Sequence, residues 1–149
     1  MNVVIFGPPG AGKGTQAQNI VKKFNLYQIS TGDLLRIEIK NKSKIGKEIE
    51  EIISKGDFAT DDIVNKLIKN VIFDPQKKNK LIFDGYPRSL DQAKNLDSLL
   101  NGSEQKIGFV FYLNVNKETI VKRLEKRKFI EKRTDDDFDT ILKRYDTYM

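Results

Sequence analysis

Apolar residues recur along this chain in two alternating rhythms. Residues 3–6 form a short unbroken apolar run, the pattern of a strand buried on both faces, and after a glycine-rich turn Ala17, Ile20, Val21 and Phe24 fall on one helical face. Residues 27–30 read as a weaker strand. From Thr31 to about Asp74 the spacing is helical in three pieces, with breaks near Lys42 and Ser43 and at Gly56. Thr60 is placed to cap the piece carrying Ile63, Val64, Leu67, Ile68, Val71 and Ile72. Pro75 and a lysine-rich turn end that block. Residues 81–83 predict another buried strand, closed by Asp84, and Ser89 to Gln92 form a capping box that opens a helix through Leu100. Residues 109–113 are the most strand-like stretch of all. A helix is expected over about 117–127 and a second over about 135–148, the latter with Phe138, Ile141, Leu142 and Tyr145 on one face and aspartates 135–137 at its positive end.

Strands alternating with helices predict an α/β fold of three layers, a parallel sheet covered by helices on both faces. The long helical block between the second and third strands has the look of an insertion, and inserted segments beside a ligand site often close over it. A length of 149 residues, 38% of them hydrophobic, fits a single domain with one core. The chain has neither cysteine nor histidine, so disulfides are excluded and so are the usual zinc ligands. Any metal must ride on carboxylates or on the phosphates of a ligand. Neither the N-terminus nor the longest apolar run, near 109–113, resembles a signal peptide or a membrane span, and a soluble cytoplasmic chain is expected. A net charge of +6 fits polyanionic ligands, nucleotides and nucleic acid alike.

The stretch GPPGAGKGT, from Gly7 to Thr15, narrows that choice. It fills the phosphate-loop pattern G-x-x-x-x-G-K up to Lys13, but the next position, where a hydroxyl ordinarily meets a magnesium ion, is Gly14. Gly10 and Gly12 let backbone N–H groups approach a phosphate, and a helix beginning near Lys13 aims its positive end at the same point. Lys13 would reach the outer phosphates. A chance match in a glycine-rich turn is the alternative; the strand before and the amphipathic helix after favour the phosphate loop.

GPPGAGKGTQA, STGDLLR (residues 30–36), DGYPRSLDQA (84–93) and RLEKR (123–127), in this order, resemble adenylate kinase and the other nucleoside monophosphate kinases, as does RTDD followed by Arg144. The likeness covers nearly the whole chain. It implies a P-loop nucleoside triphosphate hydrolase-like sheet with a core over 1–30, 61–127 and 138–149, a nucleoside monophosphate-binding insertion over 31–60 and a short lid over 128–137. In that family glycine follows the loop lysine and the hydroxyl comes from the next residue, here Thr15. The implied reaction is reversible phosphoryl transfer from Mg-ATP to AMP, giving two ADP.

The resemblance also implies roles. ATP would be held by Gly10, Ala11, Gly12, Lys13, Gly14, Thr15, Arg123 and Arg127. AMP would be held by Thr31, Gly32, Leu35, Arg36, Asp57, Phe58, Ala59, Gly85, Tyr86, Arg88, Gln92, Arg133 and Arg144. Lys13, Arg88, Arg123, Arg133 and Arg144 would be catalytic, embracing both phosphate chains. Arg36, Arg88, Arg123, Arg133, Arg144 and Arg127 are the only six arginines among 27 basic residues, and arginine's planar fork grips phosphate through two bonds where lysine offers a point charge. Arg123 and Arg127, four apart, share a helix face that also carries Lys122 and Lys126; read alone, they are a solvated basic face. Mg²⁺ would arrive with ATP, with no direct protein ligand and with Asp84 and Asp33 reaching it through water. No zinc is implied.

Thr31 and Gln92 favour AMP over UMP or CMP, since a glutamine amide both donates to and accepts from an adenine edge; Gln92 is equally explained by its place in the capping box. Asp57, Phe58 and Ala59 depart from the basic or aliphatic residues usual in that pocket. Family members continue with a further strand and helix that this chain does not carry, so residues 109–113 are expected at a sheet edge open to pairing with another chain, although the family is usually monomeric. Three alternatives stay open: a UMP/CMP kinase of the same family, a phosphate-loop kinase of a non-nucleotide acceptor, and a truncated, catalytically weak nucleotide binder. A basic nucleic-acid-binding domain is the non-enzyme rival, disfavoured because no aromatic-interleaved basic stretch is present, and membrane binding is not expected because no apolar run could span a bilayer.

Overall fold

The computed structural model describes residues 1–54, 59–131 and 138–149. Four parallel strands, β1 (Asn2–Phe6), β2 (Tyr27–Ser30), β3 (Leu81–Asp84) and β4 (Ile107–Tyr112), lie in the order β2-β3-β1-β4. The helices are α1 (Lys13–Phe24), α2 (Thr31–Lys40), α3 (Lys44–Ser54), α4 (Asp61–Ile72), α5 (Leu90–Gly102), α6 (Lys117–Glu131) and α7 (Phe138–Tyr148). Each expected strand and helix falls within a few residues of its place. Gly56 and aspartates 135–137 lie outside the described residues.

Alternation of side chains through β1 divides the interior. Val3 and Ile5 join Ile82, Ala17 and Leu26 beneath α1, while Val4 joins Ile29, Phe83 and the buried faces of α4 and α5. A third cluster, built on Ile49, Ile63 and Leu67, ties α2 and α3 to the start of α4. Thr60 caps α4 as the spacing predicts, its hydroxyl accepting from the Ile63 N–H. One expected core position fails: Phe24 is exposed, and the Lys23 ammonium lies 5.7 Å from its ring centre. It stands in the last turn of α1, where the helix has run past the sheet it covers.

The three-layer cover holds for β1, β2 and β3 but not for β4. Phe109 and Phe111 on one face and Val110 and Tyr112 on the other are all exposed, between 44% and 59%. An apolar hollow of about 220 Å³ opens between α5 and this strand, lined in part by Val4, Phe6, Leu96 and Val110. β4 is an edge strand, as the sequence predicts. What matters for the site is that β1 leads into Gly7, β2 into Thr31 and β3 into Gly85, so three of the motifs converge at the carboxyl ends of the strands. The chain crosses from one side of β1 to the other between β3 and β4, and at such a reversal of strand order an open α/β sheet leaves a crevice.

Candidate active site

The phosphate loop leaves β1 and enters α1 through two left-handed glycines, Gly10 (φ +80°) and Gly12 (φ +91°). At Gly10 any side chain would also collide with α6, since a Cβ would stand 2.8 Å from Leu124 Cγ. Glycine is therefore required there by both backbone and neighbour. Gly12 is the N-cap of α1 and supplies no side-chain cap, and the first turn holds no acidic residue. By contrast α4 and α5 begin with a capping hydroxyl and with acidic residues. The N–H groups at the start of α1 thus face the loop with their positive potential uncompensated by side chains of their own helix.

Lys13 and Arg123 lie on this loop. Lys13 Nζ donates to the carbonyls of Gly7 (2.7 Å) and Pro8 (3.0 Å), and Arg123 Nη1 donates to the Ala11 carbonyl (3.2 Å). Arg123 comes from α6, whose Ile120 and Leu124 are buried, so packing of one helix face delivers the guanidinium to the loop. Thr15 is exposed one turn into α1, and Ala11 is buried. The side chains of Arg127 and Arg144, with Arg133, Asp57 and Phe58, lie outside the described residues.

Asp84 closes β3 beside the loop, its Oδ2 3.8 Å from where a Cβ on Gly14 would be. Burial raises its carboxyl above the ordinary carboxylate range; the charge of Lys13 and a hydrogen bond from Gln28 oppose the rise, Asp33 adds to it and Arg88 opposes it. Four of the expected site residues therefore share one electrostatic neighbourhood. Gln28 Nε2 donates to Asp84 Oδ2 at 3.0 Å across the β2–β3 pair, a partner that motif reading missed. Its only signal was a polar residue inside a weak strand.

Around the second group of expected residues, Arg36 folds back over Gly32 and pairs with Asp33, both side chains 61% exposed. Arg88 Nε donates to the Gly85 carbonyl at 2.6 Å. Thr31 opens α2 directly after β2, Leu35 packs in the third cluster, and Ala59 is half-buried. Tyr86 belongs to the core: it is 1% exposed, and its hydroxyl donates toward Asn65 Oδ1 (2.9 Å) and the Gln92 carbonyl (3.3 Å) and accepts from Asn95. Gln92 is buried, and the capping box is half formed: Ser89 Oγ accepts from the Gln92 N–H, but Gln92 Oε1 accepts from the Arg88 N–H rather than that of Ser89. Its Nε2 donates to Asp61 Oδ1 at 2.6 Å, a contact across 31 residues that no local pattern could show.

The donor set suits a metal carried by phosphate. Among the described residues no three acidic groups cluster to cage a cation. Asp84, beside Lys13 and the helix start, is placed to accept hydrogen bonds from water, which suits an ion that keeps several waters and takes its other ligands from a substrate's phosphates.

A model of the family described as adenylate kinase matches residues 5–149. Adenylate kinase of Pelagibacter ubique is 43% identical over an alignment taking in all of this chain and 82% of that protein. Adenylate kinase of Parabacteroides distasonis is 40% identical over 99% of this chain and 78% of its own length. For that of Mycoplasma mycoides subsp. mycoides the figures are 43% over 85% of this chain and 59% of its own length.

Proposed function

The chain belongs to the adenylate kinase family of phosphotransferases, and from that premise we propose that it transfers the γ-phosphoryl group of ATP to AMP with the residues gathered at the carboxyl ends of its strands. The observation that carries the assignment is the start of α1, uncapped by any side chain, free of acidic residues and flanked by Lys13 and Arg123.

An AMP phosphate oxygen is already anionic at neutral pH, so the attack requires no strong base, and a site without histidine suffices. What the reaction lacks in water is alignment and cancellation of charge. The loop N–H groups bind the β-phosphate of ATP. Lys13 exchanges its two carbonyl partners for phosphate oxygens, and Arg123 lies within reach of the transferred group. Arg36 and Arg88, now satisfied by Asp33 and the Gly85 carbonyl, hold the AMP phosphate; the family resemblance gives Arg133, Arg144 and Arg127 a share in binding the phosphates. Mg²⁺ bound with ATP supplies further neutralisation of the phosphate oxygens, with Asp84 ordering its water. Thr31 and Gln92 select adenine. Residues 31–60 serve AMP and 128–137 cover ATP, which keeps water from the phosphoryl group.

ADP formation from ATP with AMP, UMP, CMP or no acceptor tests this reading. AMP should support turnover well above the other two. Equal ADP production without any monophosphate would turn the assignment to a phosphate-loop kinase of another acceptor, and nucleotide binding without turnover would turn it to a silent binder. The exposed β4 edge supports a second chain as a partner.

A further inference from the structure

Gln92 carries one amide with two donor hydrogens and two acceptor lone pairs, and half of each is consumed inside the protein. Its oxygen accepts from the Arg88 N–H at 2.7 Å and its nitrogen donates to Asp61 at 2.6 Å. These partners are not interchangeable, because a backbone N–H can only donate and an ionised carboxylate can only accept. Turning the amide over would set two donors against each other at Arg88 and two acceptors against each other at Asp61. The rest of the residue is pinned as well: Gln92 is 8% exposed, its N–H is held by Ser89 Oγ and its carbonyl by the Tyr86 hydroxyl.

We propose that Asp61, at the first position of α4, is a specificity-determining positioning residue that locks the Gln92 amide in the orientation reading a 6-aminopurine. The inference rests on Gln92 as the reader of the acceptor base. The donor and acceptor left on the locked amide are an N–H at the Asp61 end and a lone pair at the Arg88 end. A 6-aminopurine offers the matching pair, an acceptor at N1 and a donor at the exocyclic nitrogen. A 6-oxopurine reverses both, a donor at N1 and an acceptor at O6, and meets like groups with like. With a neutral amide in place of the Asp61 carboxylate, the partner can donate or accept, so one of the two clashes against the turned amide disappears and only the Arg88 N–H still opposes it.

Calorimetric titration of AMP and IMP into the wild-type chain, Asp61→Asn, Asp62→Asn and Gln92→Ala tests the lock without requiring turnover. Asp62, the other acidic residue in the first turn of α4, controls for loss of charge at the helix start. The wild type should prefer AMP, and Asp61→Asn should lower the AMP-to-IMP affinity ratio by about tenfold, chiefly by strengthening IMP, with Asp62→Asn leaving it unchanged. An unchanged ratio in Asp61→Asn, or an equal fall in Asp62→Asn, overturns the role of Asp61. If Gln92→Ala abolishes the preference in either case, the base-reading role of Gln92 stands by itself. If Gln92→Ala leaves AMP binding and preference intact, it is that reading that fails.

Discussion

Asp84 is held in a place its charge does not favour. Burial outweighs the attraction of Lys13 and the Gln28 hydrogen bond, and its folded pKa is raised above the ordinary value of 3.8. A carboxylate with a raised folded pKa favours the fold fully below its unfolded value and loses that contribution as pH rises through the folded value. Asp84→Asn, which keeps an oxygen for Gln28, should therefore melt above the wild type near neutral pH. The gap should close on acidification through about pH 4, as thermal unfolding at a series of pH values would record. A variant no more stable at neutral pH would contradict the cost. That a carboxylate stands here was legible, since it closes an apolar run; its tension with burial was not, because Gln28 and Lys13 meet it only through the sheet. For Gln92, likewise, the capping role was legible and the bond to Asp61 was not.

Elements were read with little loss, because each carries its own signal: unbroken apolar runs for the strands, helical spacing for α1, α4 and α5, and hydroxyl caps at Thr60 and Ser89. Phe24 departs because periodicity tells which side of a helix is apolar but not where the layer beneath it ends. The contact of the phosphate loop with α6 is likewise an affair between elements. Gly10 combines a left-handed backbone with Leu124 and Ile120 at touching distance, whereas Gly14 is helical and an added Cβ would meet Asp84 Oδ2 at an ordinary 3.8 Å. Gly10→Ala should thus cost about 1–3 kcal/mol, from strain and from pushing α6 off the loop. Gly14→Ala should change stability by under about 0.5 kcal/mol. Urea unfolding of both variants compares them, and equal stability in the two would show that α6 yields freely.

At the scale of the molecule, β4 is an edge strand of an open sheet, and its apolar side chains are left uncovered. It bears no charge or proline, and it exposes apolar side chains on both faces. Unpaired strand edges of this kind add strands from other chains unless a charge or a bulge prevents it. Sedimentation velocity should show association that grows with protein concentration, and Val110→Lys, which sets a charge on the α5 side of that edge, should suppress it. A single monomeric species of the wild type at every concentration would oppose this. The amino-acid sequence alone determined the parallel α/β architecture and the strand–loop–helix setting of the glycine-rich loop, because these depend on residue type at short spacing. Only the tertiary structure decided that Tyr86 serves the core, that Gln28 meets Asp84, and that Gln92 is held by Asp61. Those outcomes depend on which surfaces meet across tens of residues, and desolvation and hydrogen-bond partnership are settled by that meeting.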